Sequence, residues 1–424
     1  MLSSVLFTFQ TTVNMFWVGH LGKLEMAAVS LAGSVLGVFQ TLNVLISAGT
    51  LATCARFAGA ENRKGIQESV FHSLILSIAL AGVIAGVTAP IAHRLLSLFG
   101  AEPRVVELGT GFLTILLVAL ILQFTGGALA ATFQALGDTR TPMWIAIGTN
   151  LFNLVLDPLL IFGWLGFPKL GIVGAAVATA SSQLIAVVLL FIVLSRRGLI
   201  VLRQRVQPKL FATLLSIGAP ASLQAITRPL TGMLLFRVVT SFGSAAVAAF
   251  GVGLRILNIM YIYLQGLGAA CQSLVGQSLG ARRPEVAERV ARRVQVIAVG
   301  LQLVVLLALF ILAPSVIRIF NKDSDIIRYG VSYLRVLAPF LILLGLSTAW
   351  SGTQYGAGDT KPTAIAAVVA NWLVKIPLAY ILSRMITVGL SGVWLGIGIS
   401  IVVEAVILGI TYYRGGWRKK EIVW

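Results

Sequence analysis

The sequence is poor in the residues on which most soluble chemistry depends. Two cysteines, Cys54 and Cys271, and three histidines, His20, His72 and His93, are all that its 424 residues contain. Each cysteine lies inside an apolar segment, so neither a disulfide framework nor a four-ligand metal site has support, and two small apolar side chains is the simpler account. The histidines show no metal-ligand spacing and read as helix-end or packed residues. No nucleophile and base pair, metal cluster or phosphate-binding glycine loop stands out, which argues against an enzyme and against a bound cofactor. Charge is scarce too, at 11% of residues, where soluble domains carry about 25%. Acid is scarcest: 14 acidic residues face 32 basic ones, for a formal charge of +18.

What the chain has instead is apolar length. Hydrophobic residues make up 58% of it and the mean hydropathy is +0.96. Charge-free runs such as Met26–Ala55, Leu108–Gly137, Leu170–Ser195 and Ile256–Ala281 each exceed the roughly 20 apolar residues a helix needs to cross a bilayer. Backbone groups in lipid must be satisfied within their own segment, so the spans are helices, and the alternation of barrel strands is not seen. The fold class is therefore an all-α membrane protein. The basic residues fall between apolar runs rather than in one stripe with interleaved aromatics, which speaks for orientation in the bilayer and against a nucleic-acid partner.

Splitting the runs at polar turns predicts twelve transmembrane helices, over 2–19, 27–55, 68–92, 105–136, 141–163, 171–195, 210–240, 245–278, 290–314, 326–356, 362–383 and 391–413. The first is barely long enough to span and lacks the basic leader and cleavage site of a signal peptide, so it reads as a first helix that starts short. The most basic connector, 196–209, divides an N-lobe (1–195) from a C-lobe with a short tail (210–424).

The two halves repeat. Gly22 matches Gly243, Gly59 matches Gly280, Gly109 matches Gly330, the Gly137-Asp138-Thr139 turn matches Gly358-Asp359-Thr360, and Asn150 matches Asn371, all at a shift of 221. In the last helix pair the register slips, Gly171 and Gly174 matching Gly389 and Gly392 at 218. Six helices per half return the chain to its starting side, so the repeat is parallel, about an axis along the membrane normal. Connectors on one side hold 19 Lys and Arg against eight on the other, which places both termini and the 196–209 linker in the cytoplasm.

Of the acids, only Asp157 and Glu404 fall inside predicted spans away from a connector. An ionisable group costs several kcal/mol at mid-membrane and is a functional candidate for that reason. Asn153 and Asp157, four apart, share one helix face and can offer oxygens to Na⁺ or hold a proton. The structural alternative is that Asp157 serves backbone groups freed by Pro158. Glu404 has Lys375 and Arg335 as candidate partners, and Arg228, beside Pro229, faces either a cavity or an acid.

These residues resemble the multidrug and toxic compound extrusion (MATE) family of cation-coupled antiporters over nearly the whole chain. The resemblance rests on Trp17-Val18-Gly19-His20-Leu21-Gly22, on Gln134-Ala135-Leu136-Gly137-Asp138-Thr139-Arg140-Thr141-Pro142 and on Asn153-Leu154-Val155-Leu156-Asp157-Pro158. It continues through Gly166–Ala176, Val275–Pro284 and the tail Arg414-Gly415-Gly416-Trp417. It implies two six-helix lobes around a V-shaped cavity, exporting small organic, often cationic, compounds against inward H⁺ or Na⁺ in the plasma membrane, as a monomer. It also implies an N-lobe cation site of a helix 1 acid, the Asn153/Asp157 pair and a helix 6 hydroxyl, here Thr179. Asn14 stands where the acid would be, one negative charge fewer, which disfavours Na⁺. Where some branches carry C-lobe acids, Arg228 and Leu344 stand, so no C-lobe coupling site is expected. Members begin with a longer helix 1, so the resemblance leads one to expect an incomplete or differently started form here. A lipid or lipid-linked oligosaccharide flippase and a non-transporting receptor or scaffold are the competing readings.

Overall fold

The computed structural model describes residues 13–201, 203–385 and 389–420, and among these there are helices and turns but no strand. Residues 13–19 are helical and are taken as the described part of α1; the rest of the expected 2–19 helix lies outside the described residues. Eleven further helices are long and apolar enough to span. They are α2 (Lys23–Gly59), α3 (Arg63–Ser97), α4 (Pro103–Ala135), α5 (Arg140–Phe162), α6 (Ile172–Arg196), α7 (Pro208–Thr240), α8 (Ser244–Gly280), α9 (Pro284–Phe320), α10 (Ser324–Ala357), α11 (Lys361–Arg384) and α12 (Leu390–Tyr413).

Every expected helix after the first is present, and most ends run further than hydropathy suggested, while the end of α4, the end of α5 and the start of α6 fall one residue short. α9 begins at Pro284 rather than 290 because its first turns carry charge on one face only: Ala287, Ala291 and Val294 are buried there, beside an Arg292–Glu288 pair at 3.2 Å. A helix leaving the bilayer keeps its backbone bonds, so it outlasts its apolar run. Further along α9, Val296, Ile297, Val304, Leu307 and Ile311 are exposed, the surface a lipid-facing helix presents.

Contacts divide the chain into two compact units, one over Met1–Gly218 and one over Ala219–Ile422. The boundary falls inside α7, whose opening turns pack into the first unit. A Cβ on Gly218 would lie 1.8 Å from the Leu45 carbonyl oxygen, and one on Gly49 would lie 2.8 Å from that of Leu214. Only hydrogen at those positions lets the backbones approach so closely. Around α4 the first unit buries Leu113, Leu117, Leu120 and Phe124 with Ala28, Ala32 and Ile161. In the second unit Phe250 stacks on Trp394 at 5.6 Å between ring centres and Tyr333 meets Trp394 edge-on at 4.8 Å.

The repeat is visible in the backbone. Gly137 and Gly358 end the helices before their turns at φ 81° and 77°, and Gly171 and Gly389 open α6 and α12 at φ 59° and 49°. Left-handed geometry at these four positions explains why the duplicated glycines hold register. Each turn also carries an acid that meets a base past the sixth helix of its unit: Asp138 binds Arg197 at 2.5 Å and Asp359 lies 3.7 Å from Lys420. α11 departs from the pattern. Its residues Val369–Lys375 form a π-helical stretch, the mark of an extra residue accommodated within a helix.

Candidate functional site

In the first unit the candidate residues form two pairs. Asn153 and Asp157 lie one turn apart on α5, both 0% exposed, and Asn153 Nδ2 donates to Asp157 Oδ1 at 3.4 Å. A carboxylate so far from water in an apolar span is costly as an anion, which suits it to taking up a proton or to lending its oxygens to a small cation. Asn14 of α1 reaches α6 instead, its Nδ2 donating to Thr179 Oγ1 at 3.4 Å.

Asn14 and Thr179 line a cavity of about 870 Å³ whose walls are α1, α2, α4, α5 and α6. Asn153 and Asp157 are not among its lining residues, and none of those residues is charged. Its polarity comes from amides, among them Gln40, Asn43, Gln123, Asn150 and Gln183 beside Asn14, and from the hydroxyls of Ser30, Ser34, Thr149, Thr179 and Ser182. Two carbonyl acceptors on that wall, Asn43 Oδ1 and Gln183 Oε1, are buried without a hydrogen-bond partner. Such atoms favour a ligand that brings donors. Of these amides the sequence singles out only Asn14 and Asn150, because neutral polar residues scattered through separate apolar runs give no charge signal, and only the fold brings them to one wall.

In the second unit Glu404 of α12 is paired with Arg228 of α7, Nη2 to Oε1 at 3.0 Å. This settles both open expectations: Arg228 faces an acid, and that acid's partner is neither Lys375 nor Arg335. Arg335 turns to the Phe310 carbonyl at 3.3 Å, while Lys375 donates to Asn371 Oδ1, one turn back on α11. The Arg228 guanidinium also lies 5.0 Å from the centre of the Tyr261 ring, a favourable cation–π position. Leu344 is buried in the apolar core of this unit.

The remaining singled-out residues are structural. Gln207 N donates to His72 Nε2 at 2.8 Å while His72 Nδ1 lies 2.7 Å from the Glu68 carbonyl, so the imidazole fastens the 196–209 connector to α3 through one neutral tautomer. Its ring also packs edge-on against Phe211 at 4.7 Å. His20 bonds to the Phe16 carbonyl at 2.8 Å. Both cysteines are buried, and among the described residues no group of three His, Cys, Asp or Glu converges on a point. The Asp138 carboxyl, at the membrane edge, is pushed up by partial burial but held down by more through the Thr141 amide and hydroxyl and the Arg197 guanidinium, so it lies below the ordinary carboxylate value.

Comparison with known proteins agrees with this architecture. The MatE family model matches residues 1–159 and 220–381. A Thermotoga maritima protein named "Probable multidrug resistance protein NorM" is 28% identical over 412 residues, which cover 96% of this chain and 88% of that one. A crystal structure of MATE in the bent conformation superposes with a TM-score of 0.90 at 27% identity, covering 98% of this chain and 93% of its own. A Pyrococcus furiosus transporter of the MOP superfamily, described for the reverse polarity of its binding pocket, gives 0.89 at 26% identity over 99% of this chain and 94% of its own.

Proposed function

Since the chain belongs to the MatE family and is a multi-pass membrane transporter rather than an enzyme, we propose that it exports varied small organic compounds, cationic ones among them, by alternating access. Inward movement of H⁺ or Na⁺ through Asp157 drives the cycle. The observation that carries this reading is the fully buried Asp157–Asn153 pair on α5. An intramembrane acid with an amide beside it can exchange one cation without a large rearrangement of neighbours. Asn14 on α1 is neutral, so the constellation holds a single carboxylate; this suits a proton, which needs one oxygen, better than Na⁺, which needs several. The uncharged wall of the first-unit cavity, with its orphaned acceptors, supports a donor-bearing organic ligand. The protein acts in the plasma membrane as a monomer with both termini in the cytoplasm, the orientation that the basic connectors favour.

The test is efflux of a fluorescent organic cation from proteoliposomes holding the full chain, with H⁺ and Na⁺ gradients imposed separately, for the parent and Asp157→Asn. Transport should follow one gradient in the parent and fall to the protein-free leak in the variant. Gradient-driven efflux by Asp157→Asn at the parental rate would sink the coupling assignment.

A further inference from the structure

The second unit gathers charge that does not balance. Arg228 meets Glu404 through a single contact of 3.0 Å, and the carboxylate side chain is 7% exposed while the arginine keeps 34%. One Nη2 contact leaves most of the five guanidinium donors for other partners. Lys375 ends the π-helical stretch of α11, which packs against α12, the helix that carries Glu404. The same guanidinium sits 5.0 Å from the centre of the Tyr261 ring, and Tyr355 is hydrogen-bonded to Gln224, one turn before Arg228 on α7. The cluster thus holds two cations and one carboxylate. An excess charge at membrane depth is costly unless something neutralises it.

The internal repeat points the same way by a separate route. At the shift of 218 that matches Gly171 with Gly389, Asn153 falls on Asn371 and Asp157 on Lys375 (371 − 153 and 375 − 157). Where the first unit sets an acid one turn after a buried asparagine, the second sets a base. Asn371 is buried, and it donates to the Ala367 carbonyl at 2.8 Å while accepting from Lys375. The following proline comes one residue later in the second unit, Pro377 against Pro158, and the π-helical stretch Val369–Lys375 takes up that extra residue.

We propose that Arg228 and Lys375 form a binding site for an anionic oxygen group, a carboxylate, phosphate or sulfonate, with Glu404 as the internal counter-ion that holds Arg228 until the ligand's group replaces it. The guanidinium fork offers paired donors to such a group and the ammonium adds a point charge. Glu404 keeps the arginine in place and neutral overall when no ligand is present. The group arrives either on a transported solute or on a lipid head. The inference rests on the transport reading for its purpose, but not for its measurement.

The probes are pyrenebutyrate and a pyrenebutyl trimethylammonium salt, which share an aromatic body and differ in the sign of their charge. Binding to the full chain in phosphatidylcholine nanodiscs is read by energy transfer from tryptophan, without any gradient. The parent should prefer the anion. Glu404→Gln should bind pyrenebutyrate about tenfold more tightly, because the competing carboxylate is gone. This gain cannot come from misfolding. Lys375→Met and the Arg228→Gln/Glu404→Gln double variant should weaken it about tenfold and leave the cationic probe unchanged. Equal affinity of the parent for both probes, or weaker pyrenebutyrate binding by Glu404→Gln, overturns the proposal. Discs containing phosphatidylglycerol identify the source: lower pyrenebutyrate affinity there assigns the site to a lipid phosphate, and unchanged affinity assigns it to a solute. Loss of coupling in the Asp157→Asn flux test leaves these affinities where they are, so the two readings fail separately.

Discussion

Removing Arg228 strands a carboxylate, and the structure sets the size of the effect. Glu404 is almost wholly buried and meets the guanidinium at 3.0 Å, whereas the arginine side chain is about one-third exposed at 34%. Breaking a fully buried pair costs about 3–5 kcal/mol, and an exposed pair contributes about 0–1 kcal/mol. Arg228→Gln belongs between these limits, at about 2 kcal/mol, since only one member of the pair is shut away from solvent. Glu404→Gln should cost less, about 1 kcal/mol, because the arginine retains its place over the Tyr261 ring and its access to solvent. The double variant leaves neither Arg228 nor Glu404 stranded by loss of the other, so it should be more stable than the sum of the singles by about 1–2 kcal/mol. Graded SDS denaturation of the full chain in micelles, followed by tryptophan fluorescence, measures all four corners of the cycle. Singles that add to the double within about 0.5 kcal/mol would refute the pairing as an energetic unit.

Two further outcomes follow from the connectors. Asp138 has a folded value below its unfolded one because Thr141 and Arg197 outweigh partial burial; its contribution is complete above an unfolded carboxylate value of about 4 and is lost as pH falls through the folded value. Stability measured between pH 3 and pH 7 should therefore fall more steeply at the acid end for the parent than for Asp138→Asn, and equal slopes would remove Asp138 from that role. His72→Phe keeps a ring against Phe211 but loses the acceptor for the Gln207 amide, so trypsin should cut after Arg203 and Arg205 several-fold faster in the variant, while cutting at the α8–α9 turn should not change.

The helices, the duplication and the repeated glycine turns are legible in the sequence because each has a local signature, whereas the bases that meet the turn acids are not. Apolar length marks a span, and a glycine at left-handed φ, as at Gly137 and Gly358, leaves a residue that no other type readily replaces. Pairing across the fold has no such signature. Arg228 and Glu404 are 176 positions apart, and Arg335 and Lys375 are equally eligible partners in the sequence. The orphaned acceptors of Asn43 and Gln183 were invisible for the same reason. Helix ends were misjudged where charge lay on one face of a turn, as at Glu288 and Arg292 in α9.

The register slip near the end of the repeat falls in the fifth helix of each unit, where α11 departs from regular α-helix. Shift 221 aligns Asn371 with Asn150, and both donate to the carbonyl one turn back, at 2.8 Å and 2.6 Å. Shift 218 aligns it with Asn153, and both contact the residue one turn ahead, Lys375 and Asp157. One buried asparagine in the second unit thus performs the tasks of two in the first, and the π-helical stretch is where the spacing changes. Duplication kept the glycines and the turn acids, which the backbone requires, and left the pair one turn inside the fifth helix of each unit free to differ in sign. A carboxylate there suits a cation and an ammonium suits an anion, as the roles proposed for the two positions require. By linkage, whatever occupancy of Asp157 does to the anion's affinity, the anion does equally to the cation's.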